Sequence, residues 1–268
     1  MSRPTAPCAL CERVRLLAKS HFLPKAHYKI IRDVPNGKSA FIGSGESVHT
    51  TRQVKKHLLC DDCEDRFNAR GENWVHANSL TAGGSFLIRD ALQRANPLGW
   101  AEVNGENGIE HIATYSGINT PGIEIDKLIY FAVSVFWRAA ATDWDVCGRT
   151  LHRLPLGPYE GTLRDFLMDE GPFPEDATLV IFVASEEKPL RGACFPIGSK
   201  AEGKYFKYNF HIPGLGFALS LGKLIPQAIR EMCAVRSPNR IVVLTDMGDR
   251  ALTDLFMSLL FKQKRNHV

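Results

Sequence analysis

Two cysteine pairs with the same internal spacing, Cys8-Ala-Leu-Cys11 and Cys60-Asp-Asp-Cys63, constrain this chain more than any other feature. Each pair supplies two soft thiolates at the spacing that chelates one face of a tetrahedral Zn²⁺, at ~2.3 Å per bond. Both lie in polar, loop-rich sequence that has few apolar residues of its own and therefore needs a staple. Cys8, Cys11, Cys60 and Cys63 are the expected zinc ligands. The 48 residues between the pairs exceed the ~15–20 of an ordinary zinc ribbon, so that stretch has to build structure rather than merely connect. Cys147, Cys194 and Cys233 have no partner at ligand spacing and read as buried small hydrophobes. Seven cysteines do not suit a disulfide framework, and the first residues lack the apolar stretch of a secretory signal, so a reducing cytoplasm is expected. The longest clear apolar run, Leu128 to Trp137, is ten residues against the ~20 of a spanning helix. No membrane span is expected.

Charge divides unevenly along the chain. Up to Asn73 there are 13 Lys plus Arg against 8 Asp plus Glu, and beyond it 20 against 21, so the first quarter carries the whole basic excess. Four thiolates on one Zn²⁺ reduce that surplus from five to about three. Such asymmetry suits one module that faces a polyanion beside another that does not, although a solvated basic face has the same composition. A hydrophobic content of 44% excludes wholesale disorder.

The small, polar stretch His76 to Ser85 reads as a linker, dividing a zinc-binding module (1–78) from a larger mixed α+β domain (79–268). Gly- and Ser-rich sequence upstream leaves little room for long helices. Downstream, helices are expected over Phe86 to Ala95, Ile123 to Thr142, Thr162 to Met168 and Asp249 to Lys264. Strands are expected over Thr178 to Ala184, Lys204 to Ile212, Phe217 to Leu221 and Arg240 to Thr245. The alternation of Lys204 to Ile212 predicts a half-exposed strand that offers an edge to a protein partner. Trp137 and Arg138 are read as core. His27, His49 and His76 have no spacing argument and are read as structural or exposed.

The order of motifs in the first quarter is more specific. A knuckle at Cys8 is followed by Ser20-His21-Phe22-Leu23-Pro24-Lys25, then a basic, Gly-rich excursion, then Lys55-Lys56-His57-Leu58-Leu59-Cys60-Asp61-Asp62-Cys63-Glu64-Asp65-Arg66-Phe67-Asn68. Over roughly Cys8 to Glu72 this resembles the zinc-containing HNH endonucleases of the His-Me finger group. The resemblance implies a zinc-stapled ββα, treble-clef module. His21 takes the family's place of the histidine that deprotonates the attacking water. Its neighbour, usually an acidic metal ligand, is Ser20. After the last zinc cysteine the family places an Asn or His that holds a catalytic divalent ion, and this chain has Glu64, with Asn68 one turn later. His57 or Lys56 stands where the family has its middle Asn. A carboxylate in the first turn of a helix also suits the helix dipole.

What the resemblance implies is a metal-dependent nuclease acting on DNA, using Mg²⁺ or Mn²⁺ held by Glu64 or Asn68, with His21 and His57 as catalytic candidates. Mg²⁺ needs only one or two protein oxygens when phosphate and water complete its octahedron. Lys25, Lys29, Lys55, Lys56, Arg66 and Arg70 are the residues expected to hold the nucleic-acid backbone, without base readout. The downstream domain is expected to select a target, a partner or a signal. The alternative is a non-catalytic zinc finger that binds nucleic acid or protein. A third reading places an active site in the second domain.

Overall fold

The computed structural model describes residues 3–32, 40–43, 46–49, 53–105, 108–146, 148–185, 193–201 and 204–245. The helix expected over Asp249 to Lys264, and Cys147, lie outside the described residues. Two short strands open the chain, β1 (Thr5–Pro7) and β2 (Val14–His21), paired antiparallel around the Cys8–Cys11 knuckle. Pro24 precedes α1 (Lys25–Arg32), and a hairpin of β3 (Ala40–Gly43) and β4 (Glu46–His49) follows. Strand β5 (Lys55–Cys60) then returns antiparallel to β2, giving a three-stranded sheet in the order β1-β2-β5. The long insert between the cysteine pairs is thus a strand end, a helix, a hairpin and a strand.

β5 enters a helical run without any loop: α2 (Asp61–Phe67), a π-helical turn (Asn68–Glu72) and α3 (Asn73–Asn78). This continuous run over 61–78 corrects the expectation of little room for long helices. Its buried positions Cys63, Phe67, Gly71 and Val75 recur every fourth residue. They form one stripe that a second helix covers, and the π turn widens the spiral to keep that stripe aligned. The stretch expected as a linker therefore begins inside α3, and its loop starts at Ser79.

Beyond it come α4 (Leu87–Arg94), the hairpin β6 (Gly99–Gly105) and β7 (Gly108–Ser116), and α5 (Ile125–Ala141). A small hairpin of β8 (Trp144–Val146) and β9 (Arg149–Leu151) leads to α6 (Tyr159–Met168). Then follow β10 (Ala177–Ala184), β11 (Cys194–Ala201), β12 (Tyr205–Ile212), β13 (Leu215–Leu221), α7 (Gln227–Glu231) and β14 (Ile241–Thr245). These build a seven-stranded sheet in the order β11-β12-β13-β10-β14-β7-β6. It is antiparallel except where β14 runs parallel to β10.

The helix α5 is buried on every side because it lies between the two halves of the chain. On one side Phe131 and Phe136 pack against Phe210 and Phe217 of the sheet. On the other, Gly71 approaches so closely that a Cβ there would lie 2.9 Å from the backbone nitrogen of Phe131. The buried core runs without a break from Cys8 to Leu244. Strand β12 departs from expectation: Tyr208 through Ile212 are all buried, and the strand is flanked by β11 and β13. With both edges paired it has no free backbone for another chain. Asn209 and His211, the polar residues of that stretch, are buried with the rest, whereas Phe206 near the start of the strand is 46% exposed.

Candidate functional site

The four expected zinc ligands converge. The sulfur atoms of Cys8, Cys11, Cys60 and Cys63 all lie within 4.8 Å of one another. Local structure brings them there: Glu12 adopts a left-handed φ of 60° to close the knuckle, Cys8 N–H donates to Arg13 O, and Ala9 N–H ties the knuckle to Leu58 O at 3.0 Å. Cys60 ends β5 and Cys63 occupies the first turn of α2. Cys11 and Cys60 sulfurs stand 3.9 Å apart, far beyond the ~2.05 Å of a disulfide. A tetrahedron with bonds of ~2.3 Å places its sulfurs about 3.8 Å apart, so the spacing fits Zn²⁺. Cys60 N–H points at Cys8 Sγ at 3.3 Å, the kind of donor that steadies a thiolate.

Burial and mutual hydrogen bonding couple these thiols. A bond from Cys63, with help from backbone N–H groups, lowers the Cys8 thiol to about 4. Donation to Cys8 holds the Cys63 proton on, and burial pushes the Cys60 thiol up. Four thiolates this close repel one another unless a dication lies among them. These cysteines are placed to bind a metal ion such as zinc.

Beside this cluster the sheet delivers the next residues. Ser20 is buried on β2; its Oγ accepts from Leu59 N–H at 3.1 Å and its hydroxyl bonds the Glu64 carboxyl. Glu64 stands directly after Cys63, and burial raises its carboxyl above the usual range. The Arg138 charge and the Ser20 bond oppose that shift, and His21 adds a smaller effect of the same sign. Glu64 Oε1 is buried and has no hydrogen-bond partner among the described residues. An orphaned carboxylate oxygen beside a hydroxyl is a donor set that suits a hard cation such as Mg²⁺ or Mn²⁺.

His21 closes β2, half-buried, with Nε2 2.9 Å from Gln53 Oε1. Since the amide oxygen accepts, Nε2 carries the proton in this arrangement and Nδ1 is the basic nitrogen. His57 lies on β5 with Nδ1 3.2 Å from Leu17 O, so it is tied to the neighbouring strand. Asn68 opens the π turn, partly buried, one turn beyond Glu64.

The basic residues divide. Lys25 and Lys29 are exposed on α1, and Lys55 is exposed opposite His21 across the β2–β5 ladder. Lys56 instead donates to Asp143 O at 2.9 Å. Arg66 and Arg70 both converge on Asp169, and Arg70 also stacks over Tyr130. One carboxylate thus answers two guanidinium groups.

Residues with no sequence signal complete the picture. Gln53 holds His21. Arg138, from the centre of α5 and 1% exposed, donates to Phe22 O at 3.0 Å and pairs with the buried Glu72. Its guanidinium also lies 4.7 Å from the centre of the Phe67 ring. His27 and Phe131 pack against each other, ring centres 6.1 Å apart, and burial lowers the His27 imidazole to about 3. Among the described residues, no helix is long and apolar enough to cross a membrane. Comparison with family models, curated proteins and solved structures finds no match to this chain.

Proposed function

We propose that the first quarter of the chain is a zinc-stapled, HNH-type nuclease module that hydrolyses phosphodiester bonds in DNA. The observation that carries this reading is the convergence of the four cysteine sulfurs where β5 enters α2, which sets Glu64, one oxygen buried and without a partner among the described residues, directly after the last of them. In this reading zinc is structural: it clamps the β2–β5 ladder to the start of α2, as a ββα treble clef requires. His21 Nδ1 takes the proton from the attacking water, and Gln53 holds the ring in the tautomer that allows it. Glu64, with Ser20 or Asn68 beside it, holds a Mg²⁺ or Mn²⁺ ion. When bound, that ion neutralises charge on the phosphate and on the leaving oxygen. Lys25, Lys29 and Lys55 hold the nucleic-acid backbone by charge alone.

One observation favours a second reading, a non-catalytic zinc module that binds nucleic acid or protein. Arg138 already brings a buried positive charge to bear on Glu64, the service a divalent ion performs in a working site. The discriminating experiment incubates the purified protein with supercoiled plasmid and Mg²⁺ or Mn²⁺, beside His21→Ala and Glu64→Ala. Nicking that falls by about a hundredfold or more in both variants supports the nuclease. Plasmid binding without nicking in any of the three supports the second reading.

A further inference from the structure

We infer that the β1–β2 ribbon is the element that docks on the substrate and that the substrate is duplex DNA: the ribbon enters the major groove, and unpaired cations along β2 and β5 lead the backbone to His21. This deepens the nuclease reading above and rests on it for the substrate class. Alternate residues of a strand share a face. The ladder sets Thr5 opposite Leu16 and Pro7 opposite Val14, so these four lie on one face, while Ala6 on the other packs against the core. All four are exposed, Val14 by 65% and Leu16 by 55%, and β1 is the edge of its sheet.

Charge identifies what this face meets. Arg13, Arg15, Lys19 and Lys55 are exposed, and none has an ion pair or a side-chain hydrogen bond among the described residues. Nearby acids are already answered by other cations, Glu12 by Arg164 at 2.9 Å and Asp61 by Arg3 at 2.8 Å. Asp62 and Asp65 are exposed on α2, so the positive track follows the strands and not that helix. Lys19 stands opposite His57, and Lys55 opposite His21, so the track ends at the candidate base. At ~3.3 Å per residue Arg15 lies about 20 Å from His21 along β2, the rise of about six base pairs. The form of the ribbon then separates the kinds of nucleic acid. A major groove ~12 Å wide admits a two-stranded ribbon in DNA, whereas the groove of an RNA duplex is too narrow for side chains to enter. Single strands are gripped by aromatic side chains on which bases stack, and neither β1 nor β2 has one.

The test measures anisotropy of a short labelled DNA duplex, and of its separated strands, titrated with the full-length protein over a series of KCl concentrations. Mg²⁺ and Mn²⁺ are left out so that nothing is cleaved. Wild type binds the duplex about tenfold or more tighter than either strand. Combining Arg13→Gln, Arg15→Gln and Lys19→Gln lowers duplex affinity about tenfold or more and flattens the slope of log affinity against log salt by about 2–3. Val14→Ser with Leu16→Ser weakens duplex binding about threefold or more and keeps the slope. A charge-matched control, Arg94→Gln, Arg153→Gln and Lys223→Gln, removes exposed cations of the second half and binds as wild type does. Equal losses in both triple variants, wild-type binding by the serine variant, or a preference for single strands each overturns the inference. Arg13 serves the knuckle through its carbonyl, which accepts from Cys8 N–H at 2.9 Å, so its side chain can be changed without opening the turn. Should the triple variant still lose its thermal transition, Lys19→Gln alone decides, by a slope change of about 1 or none. Duplex binding of this pattern with no nicking of plasmid overturns the nuclease reading and leaves the docking surface standing. Nicking undiminished in the Arg13, Arg15 and Lys19 variant does the reverse.

Discussion

Gly71 sits where a π-helical turn presses against the backbone of α5. An added Cβ there would meet Phe131 N at 2.9 Å and Lys127 O at 3.0 Å, both backbone atoms that cannot rotate away. Gly71→Ala is expected to destabilise the protein by about 1–3 kcal/mol, the cost of overpacking a close contact. A chemical denaturation midpoint unchanged from wild type would show that the two helices separate more easily than their geometry implies. At this scale the cysteines were legible, because each CxxC is a local spacing that chemistry alone restricts. His21, Glu64 and Asn68 were singled out as candidates through motif order. Arg138 was read as core, and it is buried, but its charge is used 116 residues away at Phe22 and 66 away at Glu72. Gln53 lies 32 residues from His21. Nothing local marks either of them.

The elements of the first quarter are short. β1 has three residues and β5 six, and so small a sheet is not stable by itself in water. The packing of α5 holds them, and a metal ion among the four cysteines would add a second clamp. Stripping zinc with a strong chelator is therefore expected to raise amide hydrogen exchange in β2, β5 and α2 well before β10 and β13 respond. Restored zinc should reverse the change. Exchange in β2 and β5 that ignores the chelator would mean the cysteine cluster is not holding these elements together. The longer elements downstream were legible from periodicity, within a few residues: α4, α5, β10, β13 and β14 lie where apolar runs placed them. β11 was not, because Pro196 and Gly198 interrupt its pattern. It is tolerated as an edge strand with a register shift between Cys194 and Ile197.

Two fully buried histidines on different elements, His27 on α1 and His211 on β12, give the whole molecule a shared pH response. Burial lowers each imidazole to about 3, against ~6.5 in an unfolded chain. Between these values the unfolded state binds a proton that the folded state refuses, so stability falls as pH falls. Their contribution is complete above about pH 6.5 and declines toward pH 3, by up to about 1.4 kcal/mol per pH unit for each histidine. His27 lends itself to the test, since neither ring nitrogen has a hydrogen-bond partner among the described residues. Urea midpoints at pH 7.5 and 5.0 should differ less in His27→Leu than in wild type. An identical pH dependence would show that the imidazole is hydrated in the folded state.

The sequence alone determined which atoms can take a metal, that the chain is a mixed α+β protein, and where its most regular helices and strands lie. Those properties depend on residue type and on spacings of a few positions, over which the backbone has little freedom. The tertiary structure decided what α5 is for and which charges remain available. A helix apolar on every face specifies only that something covers it; packing placed the four-cysteine half on one side and the large sheet on the other. That packing brought Arg138 to Glu72 and carried Arg66 and Arg70 to Asp169, because buried charge is settled by whichever partner the fold brings within reach.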